Sequence, residues 1–193
     1  MYEVEIKLPA DIDAVRGRLR ASGAERVDAR RQRDVYYDAP HRAFAETDEA
    51  LRLRYERPLA DGIGSKPTAA DVRMTYKGPL LDAASKTRAE HETSVDDGEA
   101  AEGILTGLGF EAAATVRKER ECWRLNEFLV LLDSVVDVGE FVEIEREVET
   151  EAAIDAARDA AVETLDRLGL DADDQIRTSY LGLLFDANAP DER

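Results

Sequence analysis

Hydrophobic and polar residues alternate over the first eight positions of the chain, Met-Tyr-Glu-Val-Glu-Ile-Lys-Leu. An extended segment therefore carries Glu3, Glu5 and Lys7 on one face and apolar side chains on the other. Two acids and a base in a row are found on a solvated sheet surface, or on the wall of a site for a metal and an anion. For a single strand, the solvated surface is the more common of the two.

The same period of two recurs along the chain and predicts a sheet of roughly eight strands. Beyond residues 1–8, the predicted strands are 31–38, 51–56, 72–77, 86–95, 116–124, 128–136 and 141–148. Most of them are joined by short turns, which favours antiparallel pairing. The connection at residues 58–71 is polar and contains Gly and Pro, so it is predicted to be a surface loop.

Apolar residues at helical spacing predict helices between the strands. They cover residues 11–23, 97–108 and 151–168, and residues 179–185 form a further helix or strand. In the second helix, the residues predicted to face the core are Ala101, Ile104, Leu105 and Leu108. Each of the first three helices ends at a glycine and follows a Glu-x-Glu strand, which indicates an internal repeat or a coincidence.

The charged faces of the strands must lie away from these helices. Each helix has an apolar stripe that covers the apolar face of the sheet, so the charged face looks to bulk water or into a closed barrel. Eight strands can enclose a small ligand. The barrel is favoured because one set of strands contributes acids alone or mainly and the other strands contribute bases. Singly, Arg73, Lys86 and Glu147 are interpreted as surface charges. The acids are Glu3, Glu5, Asp133, Glu143 and Glu145, and the bases are Arg52, Arg54, Lys77, Arg88, Lys118 and Arg120.

The net charge restricts the partners. With 43 acidic and 26 basic residues the formal charge is −17, which repels nucleic acid and anionic membranes. No run approaches the ~18 apolar residues of a membrane span, and the first residues do not form a basic and apolar leader. We therefore expect a cytoplasmic protein with neither a nucleic-acid nor a membrane partner.

A metal site in this chain would be built from carboxylates. The sequence has a single cysteine, Cys122, and two distant histidines, His41 and His91, which argues against cysteine or histidine ligands. Carboxylate ligands point to Mg²⁺, Mn²⁺ or Ca²⁺. Such a cation neutralises some oxygens of a polyphosphate while arginines and lysines bind the rest, so the predicted lumen suits a polyphosphate. Without that guest, its cations should be partly neutralised by its own acids.

The bias toward arginine and acidic residues suggests adaptation to high salt, since only five of the 26 basic residues are lysine. On this hypothesis the unfolding temperature should rise from low to molar KCl, because salt screens the repulsion among surface carboxylates. Thermal unfolding followed by circular dichroism measures the effect. An unfolding temperature indifferent to KCl would count against the hypothesis.

Short motifs follow one another between residue 1 and about residue 185. They are Glu3-x-Glu5-x-Lys7, Gln32-x-Asp34-x-Tyr36-Tyr37, Thr47-Asp48-Glu49-Ala50-Leu51-Arg52-x-Arg54, Tyr76-Lys77-Gly78-Pro79, Lys118-x-Arg120, Asp133, Gly139-x-Phe141-x-Glu143-x-Glu145 and Ser179-Tyr180-x-x-Leu183-Leu184. In this order they resemble the CYTH superfamily, which joins class IV adenylyl cyclases with thiamine triphosphatases and inorganic triphosphatases. The branch of archaeal class IV cyclase-like proteins is the most similar.

The resemblance implies an α+β fold with a closed eight-stranded antiparallel β-barrel, the triphosphate tunnel, and flanking helices. It implies one domain over residues 1–185, a short polar tail at residues 186–193, and Mg²⁺ or Mn²⁺ as cofactor. The implied metal ligands are Glu3, Glu5, Asp133, Glu143 and Glu145. The implied phosphate-binding residues are Lys7, Arg52, Arg54, Lys77, Arg88, Lys118 and Arg120, with Lys7, Lys77 and Arg120 also catalytic and Glu90 and Glu92 in support.

Four functional hypotheses remain open at this point. The first is conversion of ATP to cyclic AMP and pyrophosphate. The second is hydrolysis of tripolyphosphate, thiamine triphosphate or a nucleoside triphosphate. The third is a module that binds nucleotide or polyphosphate without turnover, and the fourth is a barrel whose charges only keep it in solution. The oligomeric state is left open between monomer and homodimer.

Overall fold

The computed structural model describes residues 2–44, 46–59, 70–80 and 88–188, which form eight strands and four α-helices. In chain order these are β1 (Tyr2–Pro9), α1 (Ile12–Ala21), β2 (Glu25–Asp38), β3 (Ala50–Pro58), β4 (Asp71–Leu80), β5 (Arg88–Val95), α2 (Gly98–Gly107), β6 (Glu111–Leu125), β7 (Phe128–Val135), β8 (Gly139–Val148), α3 (Ile154–Arg167) and α4 (Tyr180–Asn188). The strand order is β1-β8-β7-β6-β2-β3-β4-β5. Successive strands along the chain pair antiparallel from β3 to β5 and from β6 to β8, and β1 pairs antiparallel with β8.

The predicted fold class, α+β with an eight-stranded antiparallel sheet and helices, is confirmed. Closure of that sheet into a tunnel and the division into a domain of residues 1–185 and a tail stay predictions. None of the helices in the described residues is long and apolar enough to cross a membrane.

Capping residues define the ends of the helices. Asp11 accepts a hydrogen bond from the Ala14 amide at 3.0 Å, and Asp97 accepts one from Ala100 at the same distance, which satisfies amides that a helix start leaves unpaired. The glycines after α1, α2 and α3 adopt the left-handed conformation that glycine tolerates best. They are Gly23, Gly109 and Gly169, with φ of 74°, 89° and 65°. The three strand–helix–glycine segments predicted from the sequence are confirmed.

The chain divides into two compact units, Met1–Arg30 with Lys118–Arg193, and Arg31–Arg117. In the first unit, helices α1 and α3 cover the apolar face of β1, β7 and β8. Leu19 of α1 and Leu165 of α3 are fully buried there with Val130, Val142 and Ile144 of the strands. The apolar stripes of the helices therefore occupy this face, and the charged face of the same strands is left for other contacts.

In the second unit, helix α2 covers the apolar face of β2, β3 and β4. Ala101 and Leu105 of α2 are buried with Leu53 and Val72. The prediction that Ile104 and Leu108 face the core is wrong, because their exposed fractions are 63% and 65%. Helix α2 buries only the narrow row formed by residues four positions apart, so its apolar neighbours on the helical wheel remain in solvent.

Two strands begin earlier than their side-chain pattern predicts. Strand β2 starts at Glu25 rather than residue 31, and β6 starts at Glu111 rather than residue 116. Both additional segments are charged or alanine-rich, and a ladder of backbone hydrogen bonds does not need apolar side chains to continue. The segment 179–185, left open between helix and strand, is helix α4 and extends to Asn188. Predictions that fall on residues 60–69, 81–87 and 189–193 lie outside the described residues.

Candidate functional site

Several predicted site residues share the charged face of the first unit. In the antiparallel register, Lys7 of β1 stands opposite Glu143 of β8, and Glu5 stands opposite Glu145. Directly opposed residues of antiparallel strands project from the same face, with their side chains in reach of each other. The fold therefore places the acids of β8 beside the N-terminal strand, although 136 residues separate Lys7 from Glu143 in the sequence.

Asp133 is the centre of an ion-pair cluster on this face. It lies opposite Arg120 in the register of β6 and β7. The Arg120 Nε donates to Asp133 Oδ1 at 2.7 Å and its Nη2 donates to Oδ2 at 2.5 Å, a two-pronged contact. The Lys118 Nζ lies 3.4 Å from the same Oδ2. Asp133 has no exposed surface, so its charge depends on these two cations.

Arg120 bridges two carboxylates, because its Nη2 also lies 2.5 Å from Glu143 Oε2. Burial alone would lower the pKa of Arg120, but the Asp133 and Glu143 charges raise it well above its usual value. Burial would raise the pKa of Asp133, but Arg120 and Lys118 hold it below its usual range. Arg120 and Asp133 are therefore ionised at neutral pH, and the cations of the cluster are paired with acids of the same face, as the sequence predicts.

One aromatic ring contacts both lysines of this face. The Nζ atoms of Lys7 and Lys118 are 4.6 and 4.7 Å from the centroid of the Tyr180 ring, within the range of cation–π contacts. Tyr180 begins helix α4 and packs against Phe141 with the ring centroids 5.1 Å apart. The motif Ser179-Tyr180 was noted in the sequence, but it predicted no role for the tyrosine. The hydrophobic pattern cannot show that this ring faces a charged surface.

The predicted metal ligands do not already form a metal-binding group. In the part of the chain that the structure describes, no three acidic, histidine or cysteine side chains gather around one point. Asp133 and Glu143 contact Arg120 instead. The donors near them nevertheless fit a hard divalent cation, because the carboxylates of Glu5, which is exposed, and Glu145 are opposed in register. The side chain of Glu3 lies outside the described residues.

The second unit contains a cluster with the same arrangement. The Arg54 Nε and Nη2 donate to the two carboxylate oxygens of Asp34 at 2.7 and 2.6 Å, and the Arg52 Nη1 lies 3.4 Å from Asp34 Oδ2. Asp34 has an exposed fraction of 3%. Each unit thus contains a buried aspartate that one arginine binds through two hydrogen bonds, with a second cation 3.4 Å away. Asp34 was not among the predicted site residues.

Of the other predicted residues of the second unit, Lys77, Glu90 and Glu92 have described ion pairs. Lys77 of β4 lies opposite Glu90 of β5, and its Nζ is 2.9 Å from Glu90 Oε2. Glu92 contacts Arg73 at 3.1 Å and accepts a hydrogen bond from the Thr75 hydroxyl at 3.0 Å. Arg88 is the first residue of β5, and its side chain lies outside the described residues. The roles predicted for these residues, like those of the whole set, stay predictions.

The comparisons with known proteins identify the family. A family model described as the CYTH domain matches residues 1–180. The chain belongs to the CYTH family. The family predicted from the order of the motifs is thereby confirmed.

Relatives cover almost the whole length of this CYTH protein. A Methanocaldococcus jannaschii protein provisionally named an adenylate cyclase is 35% identical over 184 residues, which are 95% of this chain and 98% of the relative. The solved structure of a Pyrococcus horikoshii protein, PH1819, is also 35% identical, with a TM-score of 0.79 over 96% of this chain and 99% of that one. A Hippeastrum protein, described as an adenylyl cyclase candidate with a dominant triphosphatase activity, is 18% identical with a TM-score of 0.66, over 95% of this chain and 94% of that one. This last similarity shows a shared fold.

Proposed function

We propose that this CYTH protein is a divalent-metal-dependent enzyme that converts ATP to cyclic AMP and pyrophosphate. The observation that carries the proposal is the buried cluster of Lys118 and Arg120 around Asp133, with Lys7 on the same face. Buried cations paired with acids are costly as a stability device. Their presence on the face that α1 and α3 do not cover supports a role in binding an anion.

The cluster has the chemistry that a polyphosphate requires. A guanidinium that grips a carboxylate with two parallel hydrogen bonds can grip a phosphate in the same way, whereas a lysine supplies a point charge. In the described structure the carboxylates of Asp133 and Glu143 occupy Arg120. They keep the guanidinium oriented and charged until a phosphate competes for it. Arg52 and Arg54 on Asp34 offer the same chemistry in the second unit.

The metal would be held by the carboxylates of β1 and β8. Glu5 and Glu145 are the first candidates because they are opposed in register, and Glu3, Asp133 and Glu143 complete the proposed set. Bound Mg²⁺ or Mn²⁺ would supply a Lewis acid for phosphoryl oxygens.

In the proposed reaction the 3′-hydroxyl of ATP attacks the α-phosphorus in line. The bond from O3′ to this phosphorus forms, the bond to the bridging oxygen of the β-phosphate breaks, and the hydroxyl proton passes to solvent. Lys7, Lys118 and Arg120 would bind the phosphate oxygens and neutralise the charge of the departing pyrophosphate. The name of the Methanocaldococcus relative supports this reaction class.

Hydrolysis of a triphosphate is the second candidate. The same cations would then stabilise the charge that develops when water attacks the terminal phosphorus. The fold accommodates this chemistry, because the Hippeastrum protein with a dominant triphosphatase activity shares it. Among the described residues of the ion-pair cluster, none selects an adenine base. The substrate panel described next therefore distinguishes the two candidates.

A substrate panel separates these reactions. Purified protein is incubated with ATP, thiamine triphosphate and tripolyphosphate, with Mg²⁺, with Mn²⁺ or with chelator, and the products are resolved by anion-exchange chromatography. We expect metal-stimulated formation of cyclic AMP and pyrophosphate from ATP. Phosphate release without cyclic nucleotide would reject the cyclase and support the triphosphatase. Tight binding without turnover would leave only a binding module.

A further inference from the structure

Tyr180 lies at the junction between helix α4 and the charged face of the first unit. It is the first residue of α4, its exposed fraction is 9%, and its ring packs on Phe141 of β8. The segment that leads into the helix is tied to the same place, because the Ile176 amide donates to the Lys7 carbonyl at 2.8 Å. The position of the ring is therefore fixed by its packing on a strand and by the backbone hydrogen bond of the segment that leads into the helix.

The two lysines on this ring are as buried as the apolar core around them. Lys7 and Lys118 each have an exposed fraction of 5%, and lysine is seldom buried to this degree unless it is paired. The Nζ of Lys118 is 3.4 Å from Asp133, and both ammonium groups lie over the one aromatic ring. The negative face of an aromatic ring attracts a cation that has lost part of its hydration.

We propose that Tyr180 is a positioning residue whose ring seats the ammonium groups of Lys7 and Lys118 in the phosphate-binding site. The inference rests on the proposed function, because it assigns both lysines to a triphosphate. A lysine side chain has four rotatable bonds and loses much conformational freedom when it binds a ligand. A lysine already held by the ring loses less, so the substrate binds more tightly.

The hydroxyl of Tyr180 is not the group that holds the lysines. It is buried beside the Asp133 carboxylate, and its contact with that group helps to lower the pKa of Asp133. Burial and the nearby Asp133 and Glu143 charges raise the pKa of Tyr180, so the side chain stays neutral in solution at physiological pH. Because it is the ring that the two ammonium groups contact, phenylalanine should hold the lysines as well as tyrosine does.

The test is the affinity for tripolyphosphate, measured by isothermal titration calorimetry with Ca²⁺ as the divalent ion. Tyr180→Leu removes the ring and is expected to raise the Kd about tenfold, because two lysine side chains must then be ordered when the ligand binds. Tyr180→Phe keeps the ring and is expected to leave the Kd unchanged. The control is Phe185→Leu, which removes an aromatic ring of the same helix with an exposed fraction of 44% and should have no effect on the Kd.

Thermal unfolding of each variant shows whether it is folded, and Tyr180→Met, whose unbranched side chain adapts better to the space that the ring leaves, replaces Tyr180→Leu if the latter does not fold. In steady-state kinetics with the substrate found in the panel, loss of the ring should raise KM more than it lowers kcat. The inference is overturned if Tyr180→Leu and Tyr180→Met bind like wild type, or if Tyr180→Phe binds as weakly as they do. Failure of the wild-type protein to bind tripolyphosphate would instead reject the proposed function on which the inference rests.

Discussion

Replacing Arg120 with methionine is expected to lower the free energy of unfolding by about 3 kcal/mol and to reduce turnover at least a hundredfold. The loss of stability follows because Asp133, which has no exposed surface, loses the two-pronged contact with Arg120 and keeps the more distant Lys118 as a counter-ion. Removing one partner of a buried ion pair costs about 3–5 kcal/mol, and the remaining lysine places this case at the low end. The loss of activity follows because a group proposed to neutralise the leaving pyrophosphate is gone. Chemical denaturation and initial rates measure the two effects.

The control for this variant is Arg124→Met on the same strand. Arg124 lies four residues further along β6 and is exposed, so its replacement should change the free energy of unfolding by no more than about 0.5 kcal/mol. The double variant Arg120→Met, Asp133→Asn should regain part of the lost stability, because the unpaired buried charge is removed, but none of the activity. Equal stability of the Arg120 and Arg124 variants would contradict the importance assigned to the cluster.

Arg120→Met should also invert the way in which the free energy of unfolding changes with pH in the acid range, measured with chelator present. In wild type the cations hold the pKa of Asp133 below its usual value. This carboxylate therefore stabilises the fold above its unfolded pKa of about 3.9, and the contribution is lost as the pH falls through the lower folded value. In Arg120→Met, burial is the larger influence and raises the pKa of Asp133. Acidification from neutral pH toward pH 5 should then reduce the deficit relative to wild type.

The sequence predicted the charged faces better than the contacts within them. Alternation alone placed Glu5 and Lys7 on one face. The apolar stripes of the helices are buried against the other face, which explains why the charged face is not part of the core. The register that sets Lys7 against Glu143 depends on strand pairing across most of the chain, which a local pattern does not contain. The sequence could therefore name candidate residues for a site, but it could not say which of them touch.

Asp34, Asp133 and Tyr180 show which contacts a sequence pattern does not contain, for a physical reason. The resemblance implies that Asp133 is a metal ligand, and the described structure adds that it binds Arg120 and Lys118. Asp34 grips Arg52 and Arg54 in the same way, and an aspartate in an alternating strand looks the same whether it meets water, a metal or an arginine. The short segment that carries Tyr180 fits either a helix or a strand. Its orientation is determined only by tertiary packing against Phe141.

Replacing Glu5 with glutamine is expected to abolish metal-dependent turnover, with at least a hundredfold loss, while the free energy of unfolding stays the same or rises slightly. The amide cannot supply the negative charge that a hard divalent cation draws from its ligands. The fold should not suffer, because Glu5 is exposed and directly opposes Glu145, and like charges that face each other across paired strands repel. Initial rates across a range of Mn²⁺ concentrations and chemical denaturation of the same preparation test both statements.

Glu147→Gln is the matched control, since it removes a carboxylate from β8 two residues beyond Glu145, at a position interpreted as surface. It should keep its turnover and its dependence on Mn²⁺. If both variants lose activity equally, the effect comes from the net charge of the face rather than from a metal ligand. If Glu5→Gln retains full activity while Arg120→Met does not, then the cations bind the substrate without the proposed carboxylate site. The pair of results therefore separates the metal-binding role proposed for the first strand from the phosphate-binding role proposed for the cluster beside it, using side chains that the register brings together.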